Sequence, residues 1–149
     1  MKKFKFQLET LLKVTRRKKD DAEMAFAEVS RRLEEHRARL QELLHELQEG
    51  QNEYSEMTSA GKTVRVGVVM MYNNFFNWKR EQIEKQQELI LKTMQERQQK
   101  LKKLMELITY LKSIEQLKEK RLREYKEELL AEEQKFLDEL GTQLHMRQN

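Results

Sequence analysis

The chain has 149 residues and a formal net charge of +4, with 38% charged residues, no cysteine and no proline. The lack of cysteine excludes a disulfide framework and a thiolate metal site, and the lack of proline means that nothing in the sequence forces a helix to break. This charge-rich composition is typical of long, exposed helices rather than of a compact enzyme domain. No apolar stretch predicts a secretory signal or a membrane span, so we expect a soluble intracellular protein.

The first half of the chain carries an apolar repeat with alternating spacings of four and three residues. The repeat starts at Leu8 and continues without a slip to Met57. This spacing places one residue per step on the same helical face, which is the seam along which helices pack in a coiled coil. We therefore predict a first helix over about 4–58, in which Gly50 leaves a hole in the seam.

The segment 59–69 interrupts the repeat with two glycines and alternating valines. Gly61-Lys62-Thr63 is similar to the end of a phosphate-binding loop, but Glu56 stands where that loop needs its first glycine. The alternating valines hint at a strand, yet a lone strand has no partner here. We predict an irregular turn over about 59–69 and no nucleotide binding.

A second apolar repeat predicts a longer helix over about 70–145. Stepping by four and three residues from Ile83 gives a less regular seam with the following members: Gln87, Ile90, Met94, Arg97, Leu101, Leu104, Ile108, Leu111, Glu115, Lys118, Leu122, Tyr125, Leu129, Glu132 and Phe136. Leu107, Ile114 and Leu117 suggest a local shift of face. Because helices joined by a short loop fold back on each other, the predicted fold class is all-α. We expect one domain, a long antiparallel two-helix coiled coil (a helical hairpin) with a longer C-terminal helix.

The predicted pairing leaves the end of the second helix without a partner. If Met57 faces Met70, then Leu8 faces about Glu119, and residues beyond about Arg123 extend past the first helix. These residues still carry apolar side chains, among them Tyr125. The pattern predicts either self-association or docking to another protein.

Four aromatic residues fall within seven positions after the loop, namely Tyr72, Phe75, Phe76 and Trp78. They cannot all face one narrow seam, and exposed aromatic residues are enriched at binding hot spots. The alternative is that Phe76 belongs to the core and that Tyr72 and Trp78 cap the loop.

Neither a catalytic site nor a metal site is predicted. His36, His45 and His145 lack the spacing that places two imidazoles on one helical face, and a two-helix rod offers no cleft. The basic clusters at 16–19 and 118–123 lack the interleaved aromatics of a nucleic-acid surface. We expect no enzymatic activity, no cofactor and no nucleic-acid partner.

Three stretches together resemble the flagellar FliJ family over essentially the whole chain. They are FKFQLETLLKV at 4–14, QNEY at 51–54 and YNNF at 72–75. The resemblance implies a non-enzymatic stalk component of the flagellar type III export apparatus, similar to the coiled coil of the rotary ATPase γ subunit. The implied partners are the export ATPase hexamer, the cytoplasmic domain of the export gate membrane protein, and export chaperones. The implied location is cytoplasmic, at the inner face of the membrane without insertion into it.

The resemblance also implies where the partners bind. Export-gate binding is expected near the loop, at positions that keep the family's residue type, and the aromatic cluster adds one more: Leu47, Tyr54, Phe75 and Trp78. Three equivalent positions depart from the family's residue type: Gly50, Lys79 and Gln86. ATPase binding is expected near the termini, at a basic collar and along the unpaired stripe: Arg16, Arg17, Lys18, Tyr125, Leu129, Phe136 and Leu140. The alternative function is a generic coiled-coil tether or homodimeric scaffold.

Overall fold

The structure is a computed structural model that describes residues 3–148. Within that range two helices pack against each other, α1 over Glu9–Met57 and α2 over Val66–Gln148. No strand occurs in residues 3–148, and the predicted all-α helical hairpin with a longer second helix is confirmed. None of the described helices is both long and apolar enough to cross a membrane.

Helix α1 begins at Glu9, later than the predicted start near residue 4. The Glu9 N–H donates to the carbonyl of Phe6 at 3.2 Å, and the described segment before it is not helical. Phe6 is buried in a cluster with Leu12 and Leu111. The non-helical backbone brings this ring into the core, so packing decides where the helix starts. An acidic residue in the first turn also suits the partial positive charge of a helix N-terminus.

The connection covers residues 58–65, which makes it shorter than the predicted turn over 59–69, because α2 begins at Val66. The N–H groups of Val68 and Val69 both donate to the carbonyl of Arg65, at 3.1 and 3.2 Å, and so form the first helical turn. Both valines are half-buried. β-branching lowers helix propensity only slightly, so this packing outweighs the strand-like alternation. Gly61 has a φ of 86°, a left-handed conformation that glycine adopts without strain.

The seam of α1, meaning the row of residues that faces α2, follows the predicted repeat. Seven of its predicted members are buried: Leu12, Thr15, Ala22, Val29, Leu33, Leu43 and Gly50. Only the two end members, Leu8 and Met57, are exposed. Burying a leucine or valine side chain stabilises a fold by about 1.5–3 kcal/mol, so this row is the main source of stability along α1.

The seam of α2 differs from the prediction at alternate positions. Ile83, Ile90, Leu104 and Leu111 are buried as predicted. At four other steps the more buried residue is one position earlier than predicted, and these are Gln86, Thr93, Leu107 and Ile114 in place of Gln87, Met94, Ile108 and Glu115. Arg97 and Leu101 are half-buried at their predicted positions. The suggested change of face at Leu107 and Ile114 is therefore part of one regular seam.

Two polar residues of this seam are accommodated by hydrogen bonds. The Gln86 Nε2 donates to the carbonyl of His36 at 2.9 Å, and the Thr93 Oγ1 donates to the carbonyl of Leu89 at 2.8 Å. Burial of a polar group is costly only when its hydrogen bonds are lost. These bonds allow polar residues to occupy positions that the pattern assigned to their neighbours.

The contacts group into two compact units. The terminal unit comprises the described residues up to Asp21 together with those from Met105 onward. Its core contains Phe6, Leu12, Leu111 and Ile114, with Phe4 and Leu117 packed against it. Lys118 pairs with Glu9 at 2.9 Å, close to the predicted register of Leu8 opposite Glu119. The hydrogen bond from Lys118 lowers the pKa of the Glu9 carboxyl.

The loop unit comprises Ala22–Leu104. Arg32 pairs with Glu96 at 2.8 Å, and further towards the connection Lys79 pairs with Glu46. Residue numbers on α2 fall as those on α1 rise, so the helices run antiparallel within this unit. The hydrogen bond from Arg32 lowers the pKa of Glu96, which keeps this pair ionised at neutral pH.

Candidate partner-binding surfaces

An aromatic patch lies in the loop unit, next to the connection, and it consists of Tyr54 on α1 with Tyr72, Phe75, Phe76 and Trp78 on α2. Tyr54 lies 5.5 Å from Tyr72 and 5.7 Å from Phe76, measured between ring centroids, and the second pair meets edge to face. Phe76 is buried, in agreement with the alternative that it belongs to the core. The rings of Tyr54, Tyr72, Phe75 and Phe76 therefore form one packed group.

Gly50 allows the Phe75 ring to lie directly against the backbone of α1. A Cβ atom built on this glycine would lie 2.5 Å from Cε1 of Phe75, closer than real Cβ contacts come. The hole that the repeat predicts in the α1 seam is therefore filled from the facing helix by an aromatic ring. A glycine in a helix interior costs about 1 kcal/mol relative to alanine, and the ring packing offsets that cost.

Lys79 connects the patch to α1 through a largely buried ammonium group. Its Nζ pairs with the Glu46 carboxylate and lies 5.7 Å from the ring centroid of Phe75 and 4.9 Å from that of Trp78. The hydrogen bond from Lys79 lowers the pKa of Glu46. Trp78 remains 53% exposed, so one face of the indole is available while the other is held by the cation.

A groove of about 420 Å³ opens beside the patch. Its lining combines three glutamates and the buried lysine with apolar groups: Glu46, Glu49, Glu53, Lys79, Gly50, Met71, Tyr72 and Phe75. The Tyr72 hydroxyl donates to Glu53 at 3.4 Å. Burial, with the nearby Glu53 charge, raises the pKa of Tyr72, so the phenol stays protonated. The surface thus offers aromatic walls and excess negative charge at one place.

The structure brings most of the predicted gate-binding residues together. Tyr54 and Phe75 both contact Phe76, and Lys79 joins Phe75 to Trp78. Leu47 is half-buried in the α1 seam and has less surface to offer.

The positions expected to differ from the family's residue type have clear local roles. Gly50 and Lys79 line the groove, and Gln86 bonds to the backbone of α1. The Lys79–Glu46 pair was not predicted from the sequence. The sequence feature that could have indicated this pair is a charged residue within the apolar repeat, Lys79, which lies four positions before Ile83.

The predicted basic collar belongs to the terminal unit. Arg16, Arg17 and Lys18 are all exposed on α1, and Arg16 also pairs with Glu115 at 3.5 Å. These three residues of the predicted collar therefore present cationic side chains to solvent, and one of them is held by an ion pair within the unit.

The predicted unpaired stripe starts later than expected. Tyr125 was assigned to the stripe, but its ring lies 5.6 Å from that of Phe4, because the non-helical segment before α1 extends along α2. Leu129 is half-buried, whereas Phe136 and Leu140 are exposed. The prediction that pairing ends near Arg123 was wrong. The exposed part of α2, here called the C-terminal tail, consists of residues 130–148.

The remaining sequence features have structural roles. The Lys62 Nζ donates to the backbone carbonyl of Glu56 at 3.0 Å, so it interacts with the end of α1. His45 pairs with Glu49 one turn away. Within residues 3–148, no group of three or more metal-type ligands comes together.

Comparison with known proteins gave one family match. A family model described as "Flagellar FliJ protein" matches residues 4–149. The matched region includes both helices, the aromatic patch and the C-terminal tail. The comparisons with curated proteins and with solved structures gave no significant match.

Proposed function

Since the chain belongs to the flagellar FliJ family, we propose that it is the stalk component of the flagellar protein export apparatus. Family membership makes it a non-enzymatic component related to flagellar export. The finer proposal is that it binds the export ATPase hexamer, promotes its assembly and activity, and contacts the export gate and export chaperones at the cytoplasmic face of the membrane. The family match over residues 4–149 is the observation that carries this proposal.

The aromatic patch is the proposed gate-binding surface. Trp78 is half-exposed and lies against a cation that holds its orientation, and the adjacent groove can receive a side chain of the partner. Large, pre-oriented aromatic residues are frequent hot spots because they bury much area at little entropic cost. We assign the central contact to Trp78 and supporting contacts to Tyr54 and Phe75.

Replacing Trp78 by alanine tests this surface, because the exposed indole contributes little to the fold. We expect binding of the purified gate domain to weaken by about 1–3 kcal/mol while the melting temperature stays nearly constant. Tyr110→Ala is the matched control, since Tyr110 is 50% exposed on α2 but lies in the terminal unit. Normal gate binding by the Trp78 variant would exclude this surface.

The terminal unit is the proposed ATPase-binding region, through its exposed basic residues and the C-terminal tail. The double variant Phe136→Gln, Leu140→Gln keeps the pairing of Tyr125 with Phe4 and alters only exposed positions. We expect it to lose stimulation of the export ATPase and to keep gate binding. Light scattering on the wild type addresses the alternative function, because a homodimeric scaffold gives the mass of a dimer whereas a stalk gives that of a monomer.

A further inference from the structure

The groove beside the aromatic patch has two chemically different walls. The wall on α1 carries three glutamates, which share one helical face because they are three and four positions apart: Glu46, Glu49 and Glu53. The wall on α2 is apolar and mostly aromatic: Met71, Tyr72 and Phe75. A side chain that enters the groove therefore meets carboxylates on one side and rings on the other.

The groove keeps an excess of negative charge. Lys79 is the only cation among its lining residues, and this lysine pairs with Glu46. The ion-pair partner of Glu49 is His45 at 2.9 Å, which is charged only when it is protonated, and Glu53 accepts a hydrogen bond from the Tyr72 hydroxyl. With three carboxylates and one ammonium group in the lining, two negative charges remain when His45 is neutral.

The preceding glutamates of α1 are compensated locally. From residue 28 to the groove, each pairs with an arginine three or four positions away on the same helix: Glu28, Glu34, Glu35 and Glu42. Glutamates without an ion pair also occur on the described part of α2, at Glu81 and Glu84, but neither lines the groove. A missing ion pair alone therefore marks no site. The groove differs because its two uncompensated carboxylates face aromatic rings.

The aromatic patch already holds one cation by the same combination of groups. The Lys79 Nζ pairs with the carboxylate of Glu46 on α1, and on α2 it lies 5.7 Å from the ring centroid of Phe75 and 4.9 Å from that of Trp78. Cations bind favourably over aromatic rings when a carboxylate balances their charge. Closer to the connection the combination is repeated, with Glu49 and Glu53 on α1 opposite Tyr72 and Phe75 on α2.

A protein that docks on the aromatic patch removes water from this groove. Carboxylates that lose their water without gaining a cation are strongly unfavourable, so the docking protein has to supply a positive group. An apolar side chain would leave Glu49 and Glu53 uncompensated, and an acidic side chain would be repelled. The chemistry of the two walls thus selects a cationic side chain.

Arginine fits the two walls better than lysine does. Its planar guanidinium stacks on an aromatic ring and still donates hydrogen bonds to carboxylates in its own plane, whereas the lysine ammonium is compact and more strongly hydrated. We propose that the groove binds an arginine side chain of the export-gate domain. This inference rests on the proposed function, because that domain is the expected source of the arginine.

Two small probes test the chemistry of the groove on the full-length protein. One is N-acetyl-arginine amide, and the other is N-acetyl-citrulline amide, which has nearly the same shape but no charge. Titrations followed by NMR measure the shifts of the backbone amide signals of Gly50 and Glu53. We expect the arginine probe to bind about fivefold more tightly at low salt, because only this probe gains the ion pair and the cation–ring contact. The difference should shrink at high salt, because ions screen exposed charges.

A double variant identifies the carboxylates that are responsible. Glu49→Gln combined with Glu53→Gln should bring the affinities of the two probes together, and glutamine at position 53 keeps an acceptor for the Tyr72 hydroxyl. Glu81→Gln combined with Glu84→Gln is the matched control, because it removes the same charge from the loop unit outside the groove. Equal binding of the two probes to the wild type, or equal loss of the preference in the control, would overturn the proposal.

Binding of the purified gate domain identifies the source of the arginine. We expect the double variant of Glu49 and Glu53 to bind it at least about tenfold more weakly than the wild type, and the control variant to bind normally. Unchanged gate affinity in the double variant would overturn the proposal. A preference for the arginine probe without any gate binding by the wild type would refute the proposed gate contact and leave the chemistry of the groove standing. A wild-type dimer that the double variant makes monomeric would instead assign the arginine to a second copy and exclude the gate domain as its source.

Discussion

Replacing Gly50 by alanine tests whether the Phe75 ring lies on the backbone of α1. Two effects oppose each other at this position. Alanine gains about 1 kcal/mol in helix propensity over glycine, whereas the 2.5 Å approach of its Cβ to the ring forces an overpacking cost of about 1–3 kcal/mol. We expect the substitution to lower the free energy of unfolding by up to about 2 kcal/mol in the wild type.

The sign should reverse once the ring is removed. In a Phe75→Ala background nothing opposes the propensity gain, so Gly50→Ala should raise the free energy of unfolding by about 1 kcal/mol. The two substitutions are therefore coupled by about 1–3 kcal/mol. Urea unfolding followed by circular dichroism measures all four proteins of the cycle. Gly141→Ala is the control, because no atom lies within 4 Å of the place that its new methyl group would take.

The close contact is refuted if Gly50→Ala changes stability equally in both backgrounds, since the ring would then exert no constraint on position 50. A gain in stability in the wild type would likewise contradict it. Gate binding by the Gly50→Ala variant adds a functional readout, because a displaced Phe75 alters the groove wall. We expect that binding to weaken even where the helix content is unchanged.

Three further expectations concern stability and nucleotide binding. Leu12→Ala should cost about 2–5 kcal/mol, since this side chain is fully buried, whereas Leu11→Ala at 36% exposure should cost much less, as measured by urea unfolding. The pKa of Glu46 is lowered below 4.5, so its stabilising contribution is present above that pH and lost as the pH falls through the folded-state pKa. Melting curves from pH 6 to about 3 should therefore fall less steeply in the Glu46→Gln variant. Equilibrium dialysis with ATP should detect no binding to the wild type, and Lys62→Ala should not change that result.

The seam of α1 could be predicted because nearly every step of its repeat is apolar. On α2 the sequence places apolar Met94 next to polar Thr93, and the pattern favours the methionine. The structure buries the threonine, whose hydroxyl bonds to the carbonyl of Leu89 at 2.8 Å. Because this hydrogen bond pairs the hydroxyl, it offsets the free-energy cost of burying the threonine side chain. Packing against the facing helix therefore determines which of two neighbouring residues is buried. The apolar pattern of a single helix does not indicate this.

The aromatic patch was only partly predictable. The spacing of Tyr72 to Trp78 indicated a cluster, and the glycine at position 50 indicated a hole in the opposite seam. Nothing in the local pattern indicated that Phe75 fills that hole, because the pairing depends on the register of the two helices across the connection. The same limit applies to Lys79, whose partner Glu46 lies on the other helix.

The start of α2 was placed too late for a local reason. Glycines and alternating valines resemble an irregular turn, yet Val68 and Val69 are half-buried and helical. Their packing outweighs a small loss of propensity. The late start of α1 has the same origin, since Phe6 occupies the core from outside the helix.

The core of the terminal unit has a consequence for how the protein is made. Leu12 can pack against Leu111 and the rest of this core only after about 100 intervening residues have been synthesised. At about 5–20 residues per second, translation separates the two by roughly 5 to 20 s. Tyr54 and Tyr72 in the loop unit are separated by a far shorter stretch of chain. During synthesis the apolar side chains around Leu12 therefore emerge well before the residues that cover them, which prolongs their exposure to solvent and to aggregation.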